Sequence, residues 1–260
     1  MILTFDVGNS ETTIGLFDGE TLRAHWRLMT DVPRTSDEYG VLLRGFLAGA
    51  DVDRAGVHGV AIGSVVPRVT QPLADACRDW LTAGRVEVLD ATSPLPITLA
   101  VDEPRTVGAD RIINTLVASR RYGRDAIVVD LGTATTFDCI TKDAVFLGGV
   151  IAPGVRTSAE TLFRRTSKLP ATELVAPART IGTRTEDCIR AGVMFGAAES
   201  IDGIVRRIIA EWPNVERPIV IGTGGLAELF APICTCFDEV DPYLTLRGLA
   251  LAFELVGPPG

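Results

Sequence analysis

Histidine and paired cysteine, the usual zinc ligands, are scarce in this chain. It has only two histidines, His25 and His58, and its five cysteines (Cys77, Cys139, Cys188, Cys234, Cys236) contain no Cys-x-x-Cys pair, which argues against a zinc site. Reduced, partly buried thiols are the expectation, with Cys234 and Cys236 sharing a face if they lie on a strand. Long apolar runs are missing too. The nearest, Val57 to Val66, is broken by His58, Ser64 and two glycines, so no membrane span is expected. No basic segment precedes the first apolar residues and Asp6 interrupts them, which predicts no secretory signal and a soluble cytoplasmic protein. Positive charge is in deficit: 25 Lys and Arg against 33 Asp and Glu give a net charge of −8 and a pI near 4.9. Such a surface disfavours non-specific binding to nucleic acid, which needs cations to displace phosphate counterions. A nucleotide stays admissible, because bound Mg²⁺ reconciles carboxylates with a triphosphate.

What the 260 residues do have is apolar material, 47% of the chain with a mean hydropathy of +0.27, enough for two cores. The organising stretch is Ile127-Val-Val-Asp-Leu-Gly-Thr-Ala-Thr-Thr136. A buried β-branched run ends at Asp130, and the small residues Gly132 to Thr136 offer amides and hydroxyls to a ligand, the makings of a phosphate cradle. The same design opens the chain as Ile2-Leu-Thr-Phe-Asp-Val-Gly-Asn-Ser-Glu-Thr-Thr13. Aligning Asp6 with Asp130 puts Gly8 on Gly132, Asn9 on Thr133 and Thr12 on Thr136. A strand-like segment, a turn and a third strand-like run follow each copy. The repeat predicts two duplicated domains, 1–122 and 123–260, each opening on a three-stranded meander and facing the other across a cleft.

Between the copies, Thr35-x-x-Glu38 is a capping box that starts a helix carrying Val41, Leu42, Phe46 and Leu47. Val57 to Val66 reads as a strand ended by Pro67, Pro72 to Leu81 as a helix, and Val86 to Leu89 as a strand. A proline-marked loop then delivers Gly108-Ala-Asp-Arg111 to the first turn of a helix running to Tyr122. In the second half, Gly148-Gly-Val-Ile-Ala-Pro-Gly154 enters another helix, and Glu186 to Ile209 forms a long one whose Gly192, Gly196 and Gly203 would admit close neighbours. Pro218 to Ile221 is a strand turned by Gly222-Thr-Gly-Gly225, a place for a nucleoside, and Leu244 to Leu255 is an apolar helix stopped by Gly-Pro-Pro-Gly. The alternation implies an α/β fold. Bland readings stand beside these: an Asp in a first helical turn complements the macrodipole, and an Asp at a hairpin stabilises the turn.

In order, Asp6-Val-Gly-Asn9, Gly108-Ala-Asp-Arg111, Asp130-Leu-Gly-Thr-Ala-Thr-Thr136, Gly148 to Gly154, Lys168-Leu-Pro170, Thr223-Gly-Gly-Leu226 and Asp241-Pro-Tyr-Leu-Thr-Leu246 resemble the type III pantothenate kinases of the actin and sugar-kinase superfamily. The resemblance runs to about residue 253. It implies two ribonuclease-H-like (actin-like ATPase) domains with mixed sheets flanked by helices. It also implies transfer of the ATP γ-phosphoryl group to the 4′-hydroxyl of pantothenate, the opening of coenzyme A synthesis, in a homodimer needing Mg²⁺ and a monovalent cation such as K⁺ or NH₄⁺. By position, Asp6, Val7, Gly8, Asn9, Ser10, Glu11, Thr12 and Thr13 would form the first ATP loop, with Thr133, Gly224 and Gly225 as further nucleotide contacts. Gly108, Ala109, Asp110, Arg111 and Thr185 would hold pantothenate, with Asp110 the base. Asp130 would take the monovalent cation and Asp6 the Mg²⁺.

Two rivals share these features. One is another small-molecule kinase of the superfamily, such as a sugar kinase, which the short chain disfavours. The other is a nucleotide-binding accessory factor for transcription, which the joint presence of Asp6, Asp110 and Asp130 disfavours.

Overall fold

The structure, a computed structural model, describes residues 1–81, 84–214 and 216–257. In chain order it consists of β1 (Ile2–Val7), β2 (Glu11–Asp18), β3 (Thr21–Met29), α1 (Ser36–Gly49), β4 (Gly59–Ser64), α2 (Pro67–Trp80), β5 (Arg85–Leu89), β6 (Thr98–Leu99), α3 (Ala109–Tyr122), β7 (Ala126–Leu131), β8 (Ala134–Ile140), β9 (Val145–Pro153), α4 (Val155–Arg164), α5 (Thr185–Ala210), β10 (Ile219–Thr223), α6 (Ala227–Phe230), β11 (Glu239–Val240) and α7 (Leu244–Val256). Residues 258–260 of the expected Gly-Pro-Pro-Gly stop lie outside the described residues.

The chain divides into two compact units. The first is Met1–Arg120 with Ala144–Phe146 and Leu244–Gly260; the second is Arg121–Asp143 with Leu147–Tyr243. A single cut after residue 122 therefore needs correction, because α7 returns to the first unit and packs against β1, β4 and β2. The sequence contact behind this is visible at Gly59, where a Cβ would overlap the Phe253 ring. Arg85 ties the same end down, with its guanidinium 3.9 Å from the Phe253 ring centroid.

The first unit holds a sheet of order β3-β2-β1-β4-β5. β1, β2 and β3 form an antiparallel meander, and β1, β4 and β5 run parallel. β1 and β4 are buried along nearly their whole length because both faces are covered, as central strands of such a sheet are. Leu3, Phe5, Ile14, Leu16, Val60, Ile62, Leu43, Leu47 and Leu73 make the core. α1 begins at the expected box, where Thr35 Oγ1 accepts from the Glu38 amide at 3.3 Å and Glu38 Oε2 accepts from the Thr35 amide at 2.7 Å. α2 corrects the reading of Pro67 as a mere strand stop. Pro67 occupies the first turn, where its missing N–H costs nothing, and Pro72 lies inside the helix.

The second sheet has six strands in the order β6-β9-β8-β7-β10-β11, and its last five repeat the 3-2-1-4-5 succession of the first. β7 and β8 are antiparallel; β7, β10 and β11 are parallel. Its core is built from Ile127, Val129, Phe137, Met194, Ile201, Val205, Val220 and Phe230. Register corrects the internal alignment by one residue: Asp6 stands opposite Thr13, but Asp130 stands opposite Thr136, so Thr13 and not Thr12 is the counterpart of Thr136. The hairpin after β1 is longer, closed by the Gly8 amide on the Glu11 carbonyl at 3.0 Å, where Gly132 closes on Ala134 at 3.0 Å. Cys234 and Cys236 are not on a strand. They sit in a loop folded onto Asp202 of α5, whose carboxylate accepts from the Thr235 and Cys236 amides.

Candidate functional site

In the first unit, β1 and β4 end side by side, and the Val65 amide donates to the Val7 carbonyl at 3.1 Å. The carboxyl ends of parallel strands are where open α/β sheets hold ligands. Asp6 stands there, one residue before the hairpin of Gly8, Asn9 and Ser10, of which the last two are exposed. Val7 is buried and Glu11 half-buried. Thr12 is spent inside the protein, its hydroxyl 2.8 Å from that of Thr30, while Thr13 lies on β2 across from Asp6.

Asp110 enters from the first turn of α3. Its Oδ1 accepts from the Arg111 amide at 2.9 Å, and a Cβ on Gly108 would overlap that oxygen, so the glycine makes room for the carboxyl. Ala109 is buried beneath. Burial, then the negative charge of Asp110, raises the Asp6 carboxyl from 3.8 to about 7. Burial also raises Asp110, opposed by the hydrogen bond and charge of Arg111. The Arg111 guanidinium lies 5.0 Å over the Phe146 ring. The segment preceding this motif is clipped by β6, which pairs with Val145 and Phe146 at the start of β9. This arrangement can bind a cation at Asp6 and accept a proton at Asp110.

In the second unit, Asp130 ends β7, and the loop Gly132 to Ala134 is held from above by α4. The Gly154 amide and the Thr157 hydroxyl both donate to the Thr133 carbonyl, at 3.2 and 2.8 Å. A Cβ on Gly154 would overlap that oxygen. Gly224, at φ +87°, lies so close to Asp130 that a Cβ would overlap its Oδ1, and Gly225 beside it is exposed. Only glycine combines that φ with that approach. Thr185 is the first residue of α5 and borders a cavity of about 650 Å³ together with Thr135, Phe137, Val155, Cys188 and Gly192.

Each unit thus gathers its own share of the sequence-predicted residues: Asp6 to Thr13 with Gly108 to Arg111 in the first, Asp130, Thr133, Gly224 and Gly225 in the second. Thr185, at the head of α5, lines the cavity that Thr135 also borders. Thr157 and Phe146 carry contacts that the sequence motifs do not include. Thr157 had a signal, a hydroxyl three residues into the helix entered by the glycine-rich Gly148 to Gly154. Phe146 had none.

Two copies of a 3-2-1-4-5 sheet, each with an acid at the end of its first strand, define an actin-like fold of the kind that carries phosphotransferases. The same fold is present in component A of (R)-2-hydroxyglutaryl-CoA dehydratase from Acidaminococcus fermentans, with a TM-score of 0.55, 15% identity, and coverage of 97% of this chain and 95% of that one. The family model for type III pantothenate kinase matches residues 2–207. A type III pantothenate kinase from Moorella thermoacetica is 42% identical over 254 residues, covering 98% of this chain and 99% of the relative. One from Roseiflexus sp. (strain RS-1) is 45% identical over 257 residues, again covering 98% and 99%. The chain belongs to the type III pantothenate kinase family.

Proposed function

We propose that the chain transfers the γ-phosphoryl group of ATP to the 4′-hydroxyl of pantothenate, giving 4′-phosphopantothenate and ADP at the entry to coenzyme A synthesis. Membership of the family, with 98% of the chain aligned to a relative, supports this, and the observation that carries the chemistry is the pairing of Asp6 with Asp110, two half-buried carboxyls whose proton affinity desolvation raises, that of Asp6 also through the charge of Asp110. An alcohol is a weak nucleophile until its proton has somewhere to go, and a carboxylate of raised proton affinity is suited to take it. In this reading Asp110 accepts that proton as the new O–P bond forms and ADP leaves. Gly108 and Ala109 leave the acceptor room, Arg111 pairs with the pantothenate carboxylate, and Thr185 is a further substrate contact.

Residues 6–13 are the first ATP loop, and Thr133, Gly224 and Gly225 are the nucleotide contacts of the second unit. Mg²⁺ and a monovalent cation, K⁺ or NH₄⁺, complete the set. Among the described residues no group of three or more His, Cys, Asp or Glu gathers to hold a metal. A Mg²⁺ at Asp6 would therefore draw its other oxygens from water and phosphate, as that ion commonly does. The raised Asp6 carboxyl fits such an ion, since a nearby cation would stabilise the ionised form that burial disfavours. Asp130 fits the monovalent cation by supplying a carboxylate seated against bare glycine backbone. Bound cations supply balance for the charge on the phosphates.

A cytoplasmic homodimer completes the proposal. No helix among the described residues is long and apolar enough to cross a membrane. Ile151, Val175 and Ile181 are 65%, 48% and 86% exposed, and Gly192 and Gly196 of α5 are exposed as well. Such surface invites a second copy. The test of function is ATP consumption with and without pantothenate, with and without K⁺, beside Asp110→Asn. Absence of pantothenate-dependent turnover at millimolar ATP would refute it.

A further inference from the structure

β10 ends in Thr223, which is 1% exposed and whose hydroxyl meets no hydrogen-bond partner among the described residues. Buried polar atoms left in that state are few, because the water they gave up is not replaced. The rest of the strand, Ile219 to Gly222, is apolar, so burial alone would have been served by valine. The hydroxyl is the feature that needs a cause.

Its position gives one. In the parallel pairing of β7 and β10, Thr223 is the register partner of Asp130, and register partners on neighbouring strands project to the same face. A carboxylate and a hydroxyl therefore emerge together at the carboxyl ends of two adjacent strands. The following residue, Gly224, brings a bare Cα against Asp130 Oδ1, and a Cβ on Gly132 would stand 3.7 Å from the same oxygen. The oxygen of Asp130 is thus bordered by the bare glycine backbone of residues 132 and 224. One anionic and one neutral oxygen form a hard donor set of low charge. That set suits a cation which sheds water easily more than Mg²⁺, which holds its waters and demands octahedral geometry.

We propose that Thr223 Oγ1 is a second protein oxygen ligand for the monovalent cation at Asp130. The inference rests on the reading of Asp130 given above and adds to it the residue that completes the protein's share of the site.

The test compares Thr223→Val, which keeps the branch and removes the oxygen, with Thr223→Ser, which keeps the oxygen. ADP affinity is measured by calorimetry on the full-length protein in KCl and in choline chloride at equal ionic strength, so that no turnover is needed. The wild type binds ADP more tightly in KCl. Thr223→Val requires about tenfold more KCl for the same gain, Thr223→Ser responds like the wild type, and all three agree in choline chloride. If Thr223→Val fails to fold, Thr223→Ala removes the same oxygen and is read the same way. An unchanged KCl response in Thr223→Val overturns the inference and leaves the hydroxyl as packing. A loss of ADP affinity equal in both salts also overturns it, by assigning the hydroxyl to the nucleotide. A wild type indifferent to KCl refutes the role of Asp130 itself, and the inference falls with it.

Discussion

The charge of Asp110 falls on Asp6: together with burial, which is the larger cause, it holds the Asp6 proton up to about 7. Two carboxyls that disfavour each other's ionisation can divide roles, one staying anionic and one carrying a proton. Asp110→Asn removes a charge at nearly constant shape. In the proposed reaction it lowers kcat by about 100- to 10,000-fold, the usual worth of a general base. It also lets Asp6 ionise at lower pH, a shift that inactivation by misfolding would not produce. Steady-state kinetics and a pH titration of thermal stability on the same variant read both effects. Turnover within a few-fold of the wild type would remove Asp110 from the mechanism.

Asp6 also predicts a stability slope. Its carboxyl is raised from 3.8 to about 7 in the folded chain, so the native state holds a proton that the unfolded state has lost. The stabilisation from that proton is complete below pH 3.8 and disappears as pH climbs through about 7. Asp6→Asn has no such group. Its Tm relative to the wild type therefore rises between pH 4 and pH 7 and is level above, and a difference that stays constant over that range would show that Asp6 is not held neutral. Mg²⁺ with ADP should act against the raised proton affinity. Binding near pH 6 releases protons in the wild type and not in Asp6→Asn, as calorimetry in buffers of different ionisation heat would register.

Gly154 predicts a packing defect confined to the Thr133 loop. Its φ is −65°, so alanine is conformationally acceptable there, yet the Cβ would run into the Thr133 carbonyl. That oxygen already receives the Gly154 amide and the Thr157 hydroxyl, which fix it between loop and helix. Gly154→Ala must push the loop away, at a cost of about 1–3 kcal/mol typical of overpacking. The expected result is a lowered Tm and a raised KM for ATP with little change for pantothenate. A normal KM for ATP would show that the Thr133 loop does not contact nucleotide.

The sequence made the duplication readable because both copies spend the same rare combination, an acid ending an apolar strand before a glycine turn. That pattern carried through to the same order of five strands in both sheets, the second adding β6 at its edge. Register was less visible: counting from the two acids pairs Thr12 with Thr136, but the residue that faces Asp6 is set by a hairpin one residue longer than its twin. The fate of α7 was invisible for another reason, since chain order does not say which core a terminal helix will cover; Gly59 and Phe253 decide it by fitting together. Thr223 reads in the sequence only as part of the glycine turn after the strand, whereas it is the last residue of β10. Only the buried, unpartnered hydroxyl marks it.

Arg111 offers a test of how the acceptor is held. The guanidinium lies 5.0 Å over the Phe146 ring, and Phe146 is itself fixed by the pairing of Leu99 with it. A flat cation stacked on a ring keeps its fork in one plane, ready for two parallel bonds to a carboxylate. Lysine keeps the charge but has neither fork nor plane. Arg111→Lys therefore raises the KM for pantothenate about tenfold, the equivalent of about 1.4 kcal/mol, while the KM for ATP holds. The neutral alcohol pantetheine, which lacks the carboxylate, separates this from general damage. Its turnover should be low and equal in the two proteins, and an Arg111→Lys variant with an unaltered KM for pantothenate would place the carboxylate elsewhere.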